Sequence, residues 1–302
     1  MLIDLVLPYV DGSKEKWRKL YVRTCQKHNR SKIEPHRFRE IVPLKYLLRA
    51  INKNCPFIRT VFLVVQDRDQ VPDYIKESEY LKVIEHKDII PETKLPTYNS
   101  GTIESYIYNI PELSEQFLYI NDDMYPCKTM SESDFFDEKG NPRIHVVLKN
   151  QLPNVYRQML KNSELLVTNL LNIKGKISNV VYYRDGHSWS AMKKSIWKTL
   201  HKEMGNIILS RCTTFRDPKN VVQQMCTYYS YFSGEYSERE ISTEYFTLNC
   251  PITEIREKYK ENHIICLNDT KSIKDFENSK EELLKFFEEL YPEKSEKYER
   301  LD

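Results

Sequence analysis

Residues 99–123 read NSGTIESYIYNIPELSEQFLYINDD, and this stretch decides the fold class. Its first polar residues are suited to cap a helix, and Pro111 ends that helix because proline has no backbone donor. An apolar strand follows over 116–120 and leads at once into Asp122 and Asp123. The stretch therefore predicts a helix and then a strand that carries two carboxylates at its carboxyl end.

The rest of the first half alternates strands and helices in the same way. Strands are predicted over 2–10, 58–65 and 81–85 from their apolar, β-branched character, with helical patterns between them. Such alternation predicts a mostly parallel sheet, in which ligands bind beyond the carboxyl ends of the strands. Each of these three strands is followed by an aspartate: Asp11, Asp67 and Asp88. Together with the Asp-Asp pair they predict an acidic rim around a ligand pocket.

Longer helical patterns replace this alternation in the second half of the chain. The predicted helices cover 155–173, 191–204, 218–232 and 281–290, and a short strand over 264–267 ends in Asn268-Asp269. The last ten residues are charged and are expected to fray. We predict a single catalytic domain with three portions: an α/β part at 1–150, a mainly helical part at 151–262, and a strand and helix at 263–302 that return to the core.

The composition excludes several kinds of binding site. The chain has seven glycines, all isolated, where average usage gives about 21. This excludes the glycine-rich loops that hold phosphate with backbone amides, so phosphate binding would need side chains or a metal ion. No apolar run reaches the length of a membrane span. Seven scattered cysteines without a C-x-x-C pair favour reduced thiols in a cytoplasmic protein over a zinc site.

The most basic stretch of the chain runs from residue 14 to residue 39. It holds ten Lys or Arg against two Glu, a local charge of +8. A solvated helix face explains such a stretch, and an anionic acceptor or peripheral association with the inner face of the plasma membrane are the alternatives. A nucleic-acid partner is not expected, because the isoelectric point is only about 8.0.

Carboxylates and one histidine are the candidates for chemistry. Asp122 and Asp123 suit Mg²⁺ or Mn²⁺, which prefer oxygen ligands, and Asp269 would join them if its strand lay in the same sheet. The alternative for each is a turn with solvated charge. His187, placed just before a predicted helix, is suited to proton transfer or to a phosphate contact. Glu104 would be a general base if it were buried near the acidic rim.

Two arginines stand beside aromatic residues, Arg39 in RFR and Arg216 in TFR. A guanidinium binds phosphate oxygens in a fixed, bidentate geometry, so both are candidate phosphate ligands, with a solvated arginine as the alternative. The six other histidines form no ligand pair at usable spacing and are expected to be structural.

Five segments, taken in order, resemble the conserved regions of the Stealth family. They are DLVLPYVDGS (4–13), RFREIVPLKYLLRAI (37–51), VIEHKDIIPETKLPTYNSGTIESYIYNIPELSEQFLYINDDMY (83–125), GHSWSAMKKSIWKTL (186–200) and IICLNDT (264–270). That family comprises bacterial capsular polysaccharide phosphotransferases and the catalytic subunit of the lysosomal-enzyme N-acetylglucosamine-1-phosphotransferase. The segments extend through nearly the whole chain, and the 83–125 segment is the most specific of them.

The resemblance implies a glycosyltransferase-A-like (Rossmann-like) α/β fold, with a nucleotide sugar bound to the 1–150 part and a helical C-terminal portion. It also implies a Mg²⁺ or Mn²⁺ cofactor. The implied reaction transfers hexose 1-phosphate from a UDP-sugar, such as UDP-GlcNAc, to a hydroxyl of a capsular or exopolysaccharide acceptor, and releases UMP. The family's functional positions match Asp11, Glu104, Asp123, His187, Arg216 and Asp269.

On this hypothesis the site residues fall into three sets. Asp122, Asp123 and Asp269 hold the metal; Glu104, Asp123, His187 and Arg216 are catalytic; Asp11, Gly12, Arg39 and Asn99 bind the nucleotide sugar. The second segment departs from the family pattern at Glu40, Ile41 and Pro43. Two alternatives stay open: a metal-dependent glycosyltransferase that releases UDP, and a non-catalytic module that binds surface polymers.

Overall fold

The computed structural model describes residues 1–30, 37–148, 154–173, 181–183, 188–270, 273 and 275–301. The strands are β1 (Ile3–Pro8), β2 (Ile58–Val65), β3 (Leu81–Glu85), β4 (Gln116–Tyr119), β5 (Met124–Pro126), β6 (Arg143–Ile144), β7 (Val146–Leu148), β8 (Val181–Tyr183), β9 (Ser190–Lys193), β10 (Ser237–Glu238), β11 (Thr243–Thr247) and β12 (Ile264–Asn268). The helices are α1 (Glu15–Lys27), α2 (Leu44–Asn54), α3 (His86–Ile89), α4 (Ser100–Glu104), α5 (Val155–Leu170), α6 (Lys194–Arg211), α7 (Gln224–Ser233), α8 (Ile252–Glu261) and α9 (Phe276–Leu290).

The central sheet has five strands in the order β3-β2-β1-β4-β9. Its first four strands are mutually parallel, and β9 runs antiparallel to β4. Both faces of the sheet are covered: Leu5 and Leu7 of β1 pack into one apolar cluster, and Val6 packs into another. Strands buried on both faces read as continuous apolar runs, which is why the sequence revealed them. The predicted α/β fold with a mostly parallel sheet is confirmed.

A second sheet has three strands in the order β11-β12-β5. Asp269 was predicted to join Asp122 and Asp123 as a metal ligand if its strand shared a sheet with β4. Its strand, β12, lies in this second sheet, so the two strands do not share one. The chain nevertheless passes directly from β4 through Asp122 and Asp123 into β5, and β5 pairs antiparallel with β12. The β5–β12 pairing brings Asp123 next to Asn268, the last residue of β12. The two residues are neighbours although β4 and β12 lie in different sheets.

The predicted helix over 191–204 is wrong at its start. Residues 190–193 form β9, because they pair along β4 from Gln116 to Tyr119, and α6 begins only at Lys194. Three other helices are shorter than predicted: α4 ends at Glu104, α5 ends at Leu170 instead of residue 173, and α7 begins at Gln224 instead of residue 218.

The C-terminal segment packs on the core. Helix α9 buries Leu283, Phe286 and Phe287 in the same apolar cluster as β12. The expected fraying of the last ten residues is wrong for the described ones: Tyr298 is buried, and the backbone amide of Lys76 donates to its carbonyl oxygen at 2.9 Å. None of the described helices has the length and apolar character needed to cross a membrane.

Candidate active site

A cavity of about 470 Å³ opens beyond the carboxyl ends of the central strands. Two hydrogen bonds extend the parallel ladders to its edge, from the Tyr9 amide to the Val64 carbonyl (2.9 Å) and from the Ile120 amide to the Val6 carbonyl (3.1 Å). Residues that follow four different strands line the cavity: Tyr9 and Val10 after β1, Gln66 after β2, His86 after β3, and Asn121, Asp122 and Asp123 after β4. The cavity thus occupies the usual ligand position of a parallel sheet.

Asp122 and Asp123 bring two carboxylates into this cavity. Burial and the adjacent charge of Asp123 raise the pKa of Asp122 to about 7. One carboxylate oxygen of Asp123 accepts a hydrogen bond from Asn268 Nδ2 at 3.2 Å. The other, Oδ1, is buried and has no hydrogen-bond partner among the described residues. Neighbouring half-buried carboxylates, one of them with a buried oxygen that has no partner, fit a hard divalent cation, which would supply the missing positive charge.

Asp269 does not complete a metal shell with this pair. Arg39 donates from Nε and Nη2 to the two carboxylate oxygens of Asp269, both at 2.8 Å, and the Arg39 guanidinium carbon lies 3.8 Å from the Phe276 ring centroid. Within the described ranges, no group of three acidic, histidine or cysteine side chains is arranged to hold a metal ion. The structure does not bring the three predicted carboxylates together, because Asp269 pairs with Arg39, the arginine predicted to bind phosphate.

Arg216 supplies positive charge to the same cavity. Its Nη2 donates to the Ser100 hydroxyl oxygen at 3.1 Å, and its Nε is buried without a hydrogen-bond partner in the part of the chain that the structure describes. No carboxylate of the described residues forms a salt bridge with it, in contrast to Arg39. A guanidinium with unused donors in the same cavity as two half-buried carboxylates suits a ligand that carries both an anionic group and a bound cation.

Glu104 is buried at the end of α4 but does not line the cavity. Its Oε2 accepts from the Gln223 backbone amide at 2.9 Å, and its Oε1 accepts from the Tyr119 hydroxyl at 3.2 Å. Burial raises the pKa of Glu104, and the Gln223 amide and the charge of Arg216 partly offset that rise. This placement favours an electrostatic role in holding Arg216 over direct contact with an acceptor hydroxyl.

Asn99 is buried and lies outside the cavity lining, so the predicted nucleotide-sugar contact is not what the structure shows. Its Oδ1 accepts from the Gly101 amide at 3.2 Å and caps α4, as predicted. Its Nδ2 donates to Asn220 Oδ1 at 2.9 Å and to the Thr213 carbonyl at 3.3 Å. Asn99 thus ties α4 to the loop over 212–217 that carries Arg216.

Two substitutions at Asn99 separate its two contacts. Asn99→Ala removes both the cap and the link to the loop, whereas Asn99→Ser keeps a capping oxygen and removes only the link. We expect about a tenfold loss of kcat in both variants because the guanidinium of Arg216 is misplaced, with an additional loss of about 1 kcal/mol of stability only in Asn99→Ala. Steady-state rates and urea titrations measure the two effects. Full activity of Asn99→Ser would reduce the role of Asn99 to capping.

Asp11 and Gly12 line a neighbouring cavity of about 430 Å³. Asp11 Oδ1 accepts from the Ser13 amide at 2.8 Å and from the Ser13 hydroxyl at 2.6 Å, which closes a local turn. The Gly12 amide donates to the Phe38 carbonyl at 2.9 Å, and a Cβ atom at Gly12 would lie 2.4 Å from that oxygen. Gly12 therefore allows two segments to approach closely, and neither residue reaches the main cavity lining.

The acidic rim is smaller than predicted. Asp67 Oδ1 accepts from the Asp69 amide at 3.0 Å, and Asp88 Oδ2 accepts from the Glu85 amide at 2.9 Å. Neither side chain lines the cavity. Both are turn and cap residues, a common role of aspartate after a strand. Of the aspartates predicted to form the rim, Asp122 and Asp123 line the cavity.

Two cavity residues were missed by the sequence analysis. His86, treated there as structural, is buried directly after β3, and burial lowers its pKa to about 4. His86 Nδ1 and Gln66 Oε1 are buried and find no hydrogen-bond partner within the described residues. Each is the first residue beyond an apolar strand, and that position is the signal that would have identified them. His187 lies outside the described residues, as does Gly186.

The chain is similar to named phosphotransferases along most of its length. Residues 37–144 match the family model of Stealth protein CR2, conserved region 2. The exopolysaccharide phosphotransferase cps2G of Lactiplantibacillus plantarum is 29% identical over 97% of this chain and 95% of its own length. The capsular polysaccharide phosphotransferase WcwK of Streptococcus pneumoniae is 27% identical over 99% of both chains. A capsular polysaccharide phosphotransferase of Neisseria meningitidis serogroup B is 34% identical over 49% of this chain and 41% of its own.

Solved structures of glycosyltransferases are also similar, at 10% identity. Glycosyltransferase GlyE of Streptococcus pneumoniae TIGR4 aligns with a TM-score of 0.42 over 97% of this chain and 63% of its own, so this chain spans less than two thirds of GlyE. Mouse xyloside xylosyltransferase 1, in its apo form, aligns with a TM-score of 0.37 over 88% of this chain and 97% of its own.

The mostly parallel sheet carries a half-buried Asp-Asp pair beyond β4, in a cavity at its carboxyl edge. The matches to the conserved region and along the whole chain are more specific. Residues 37–144 therefore correspond to conserved region 2 of Stealth proteins, and the chain as a whole is similar to named exopolysaccharide and capsular polysaccharide phosphotransferases.

Proposed function

We propose that this protein is a phosphotransferase that moves a hexose 1-phosphate from a UDP-sugar, of the UDP-GlcNAc kind, to a hydroxyl of a capsular or exopolysaccharide acceptor. The observation that carries the proposal is the meeting of Asp122 and Asp123 with Arg216 in one cavity. Two adjacent half-buried carboxylates favour a divalent cation, and the guanidinium favours phosphate oxygens. A sugar diphosphate bound together with a divalent cation would provide the cation for the carboxylates and the phosphate oxygens for the guanidinium. The names of the curated relatives support transfer to polysaccharide.

In the proposed step, the oxygen of the acceptor hydroxyl attacks the phosphorus atom that is bonded to the sugar. A bond forms between that oxygen and phosphorus, the bond from phosphorus to the bridging oxygen of the diphosphate breaks, and UMP leaves with the electron pair. The bond between the anomeric carbon and its oxygen is unchanged, so the product is a phosphodiester. Phosphoryl transfer depends mainly on positioning and charge stabilisation, which are the properties this cavity offers.

The side chains divide this work. Asp122 and Asp123 would hold Mg²⁺ or Mn²⁺, which supplies charge neutralisation to the diphosphate when bound. Arg216, placed by Ser100, donates to the oxygens of the transferred phosphoryl group. Glu104 is buried and interacts with Ser100, and its negative charge partly balances the positive charge of Arg216. The ion pair of Arg39 and Asp269 forms part of the cavity wall.

The proton of the acceptor hydroxyl requires a base. His187 is proposed for that role on the family resemblance alone. Glu104 is the second choice, because both of its carboxylate oxygens already accept hydrogen bonds within the fold and it is shielded from the cavity. Burial raises the pKa of Glu104 and makes it a stronger base than an exposed carboxylate.

The position of an isotopic label tests the reaction directly. Protein, Mg²⁺ and an acceptor oligosaccharide are incubated with UDP-GlcNAc labelled in the phosphate next to the sugar, and the products are separated by anion exchange. We expect UMP to be released and the label to appear in the polysaccharide product, because attack occurs on phosphorus. A reaction without acceptor controls for hydrolysis.

Two other outcomes would contradict this assignment. Label retained in released UDP would show attack on the anomeric carbon, as in a metal-dependent glycosyltransferase. Binding of the polymer without turnover of any UDP-sugar would leave a non-catalytic binding module. A screen across UDP-sugars in the same assay then identifies the hexose.

A further inference from the structure

A second, basic cleft adjoins the active-site cavity. It has a volume of about 440 Å³, and Arg216 lines both spaces. Arg30, Lys94 and His28 also line this basic cleft, and Asp217 is the acidic residue in its wall. The side chain that we assign to the transferred phosphoryl group therefore stands at the boundary between two spaces, and the second space is cationic.

The charges of the basic cleft are not cancelled inside the fold. Arg39, Arg49 and Arg59 each bind a carboxylate at close range. Arg30, Lys94 and Arg216 form no salt bridge with a carboxylate of the described residues. The Arg30 guanidinium carbon lies 4.6 Å from the Phe215 ring centroid, and Lys94 Nζ donates once, to the Cys212 carbonyl at 3.1 Å. Both cations keep donors for an external anion.

The loop over 212–217, which forms one wall of the basic cleft, is held in place. The Tyr98 amide donates to the Thr214 carbonyl at 2.7 Å, and the Thr213 hydroxyl donates to the Phe215 carbonyl at 2.6 Å. The Asp217 amide donates to Asn220 Oδ1 at 2.7 Å. A fixed wall lowers the entropic cost of binding, so the cleft is organised to receive a ligand of defined position.

We propose that the basic cleft binds a phosphodiester group already present in the acceptor chain. This inference rests on the proposed function, in which every turnover leaves one phosphodiester in the product. Arg216 then contacts the phosphoryl group in transfer, while Arg30 and Lys94 bind the phosphodiester made in an earlier turnover. An acceptor that carries such a group binds more tightly than one without it, so the enzyme favours extension of a polymer over a first addition.

A binding experiment without nucleotide tests this site. The probe is fluorescently labelled poly(glycerol phosphate), which carries phosphodiesters but no sugar donor, and its anisotropy is measured with increasing protein. We expect Arg30→Gln/Lys94→Gln to bind about tenfold more weakly than wild type, because two charge-assisted contacts are lost. Arg30→Lys, which keeps the charge, is expected to retain most of the affinity.

A matched control removes two exposed cations elsewhere, in Lys139→Gln/Lys260→Gln. Lys139 precedes Gly140, which packs on Gln116 at the amino end of β4, and Lys260 lies on α8. Wild-type affinity in this control supports a specific site. Equal loss in both double variants, or no binding by wild type, would overturn the proposal.

A vesicle arm distinguishes the polymer from a lipid headgroup, which also contains a phosphodiester. Vesicles of phosphatidylglycerol replace the polymer, and their binding is measured by co-sedimentation. We expect no loss of vesicle binding that is specific to Arg30→Gln/Lys94→Gln. Such a loss would assign the basic cleft to lipid and overturn the polymer assignment. Because this assay needs no turnover, its failure is separate from failure of the labelled-donor test.

Discussion

Asp123→Asn is expected to lower kcat for hexose 1-phosphate transfer by about a thousandfold. A bound divalent ion contributes several kcal/mol of charge stabilisation, and an amide lacks the charge to hold that ion. The fold is expected to persist, since the amide oxygen of asparagine still accepts the hydrogen bond from Asn268. Loss of one of two adjacent half-buried carboxylates also removes repulsion between their charges, so the melting temperature of the metal-free variant should be unchanged or higher.

The matched control for this prediction is Asp67→Asn. Asp67 also follows a strand of the central sheet, but its carboxylate caps a turn through the Asp69 amide and does not line the cavity. Asparagine retains that capping oxygen. UMP release gives kcat, and electron paramagnetic resonance of Mn²⁺ gives metal binding. We expect wild type and Asp67→Asn to bind Mn²⁺ and Asp123→Asn to lose it. Full wild-type activity in excess chelator would contradict the metal role.

The comparison of Asp67 with Asp123 shows how far the sequence predicts this site. Both aspartates follow apolar strands, so the local pattern is the same. They differ because the chain after Asp123 leaves the central sheet and pairs with β12, which turns one carboxylate toward Asn268 and leaves the other orphaned. The sequence reveals where a strand ends, because that is a local property. The hydrogen-bond partners of the side chain beyond the strand depend on which distant strand packs beside it.

Arg39 and Asp269 illustrate the same dependence on distant contacts. Each residue has a plausible local role, one as a phosphate ligand and the other as a metal ligand. In the structure they satisfy each other across 230 residues of sequence. Arg216 lines the cavity because its loop is held to α4 through Asn99, and it forms no salt bridge with a carboxylate of the described residues. The sequence identifies charged side chains that could bind phosphate or metal. The tertiary fold determines which of them are already paired with each other and which can contact a ligand.

The strands show the same division between local and distant information. Strands β1 and β2 are apolar on both faces and are recognisable without their neighbours. Strand β9, with the sequence SAMK, has no strand pattern of its own and forms because it pairs along the edge of β4. Strand propensity depends strongly on such context. The helix predicted over 191–204 therefore begins three residues too early, while the parallel core of the sheet was predicted correctly.

The charged C-terminal segment gives the second large expected effect. Arg49 of α2 donates from Nε and Nη2 to the two carboxylate oxygens of Glu299, both at 2.7 Å, and from Nη1 to the Tyr291 carbonyl at 2.8 Å. The side chains of Arg49 and Glu299 are 8% and 2% exposed. Arg49→Met is therefore expected to lower the free energy of unfolding by about 3–5 kcal/mol, because it leaves an unpaired buried carboxylate.

Urea titration followed by circular dichroism measures this loss, and a double variant identifies its cause. Arg49→Met/Glu299→Leu is expected to recover most of the stability, since replacing a buried ion pair by apolar groups costs little. Lys285→Met serves as a matched control, because it breaks a pair with Glu281 in which both side chains are 64% exposed and should change stability little. If Arg49→Met were no less stable than Lys285→Met, the C-terminal segment would fray in solution, as its charge pattern alone suggested.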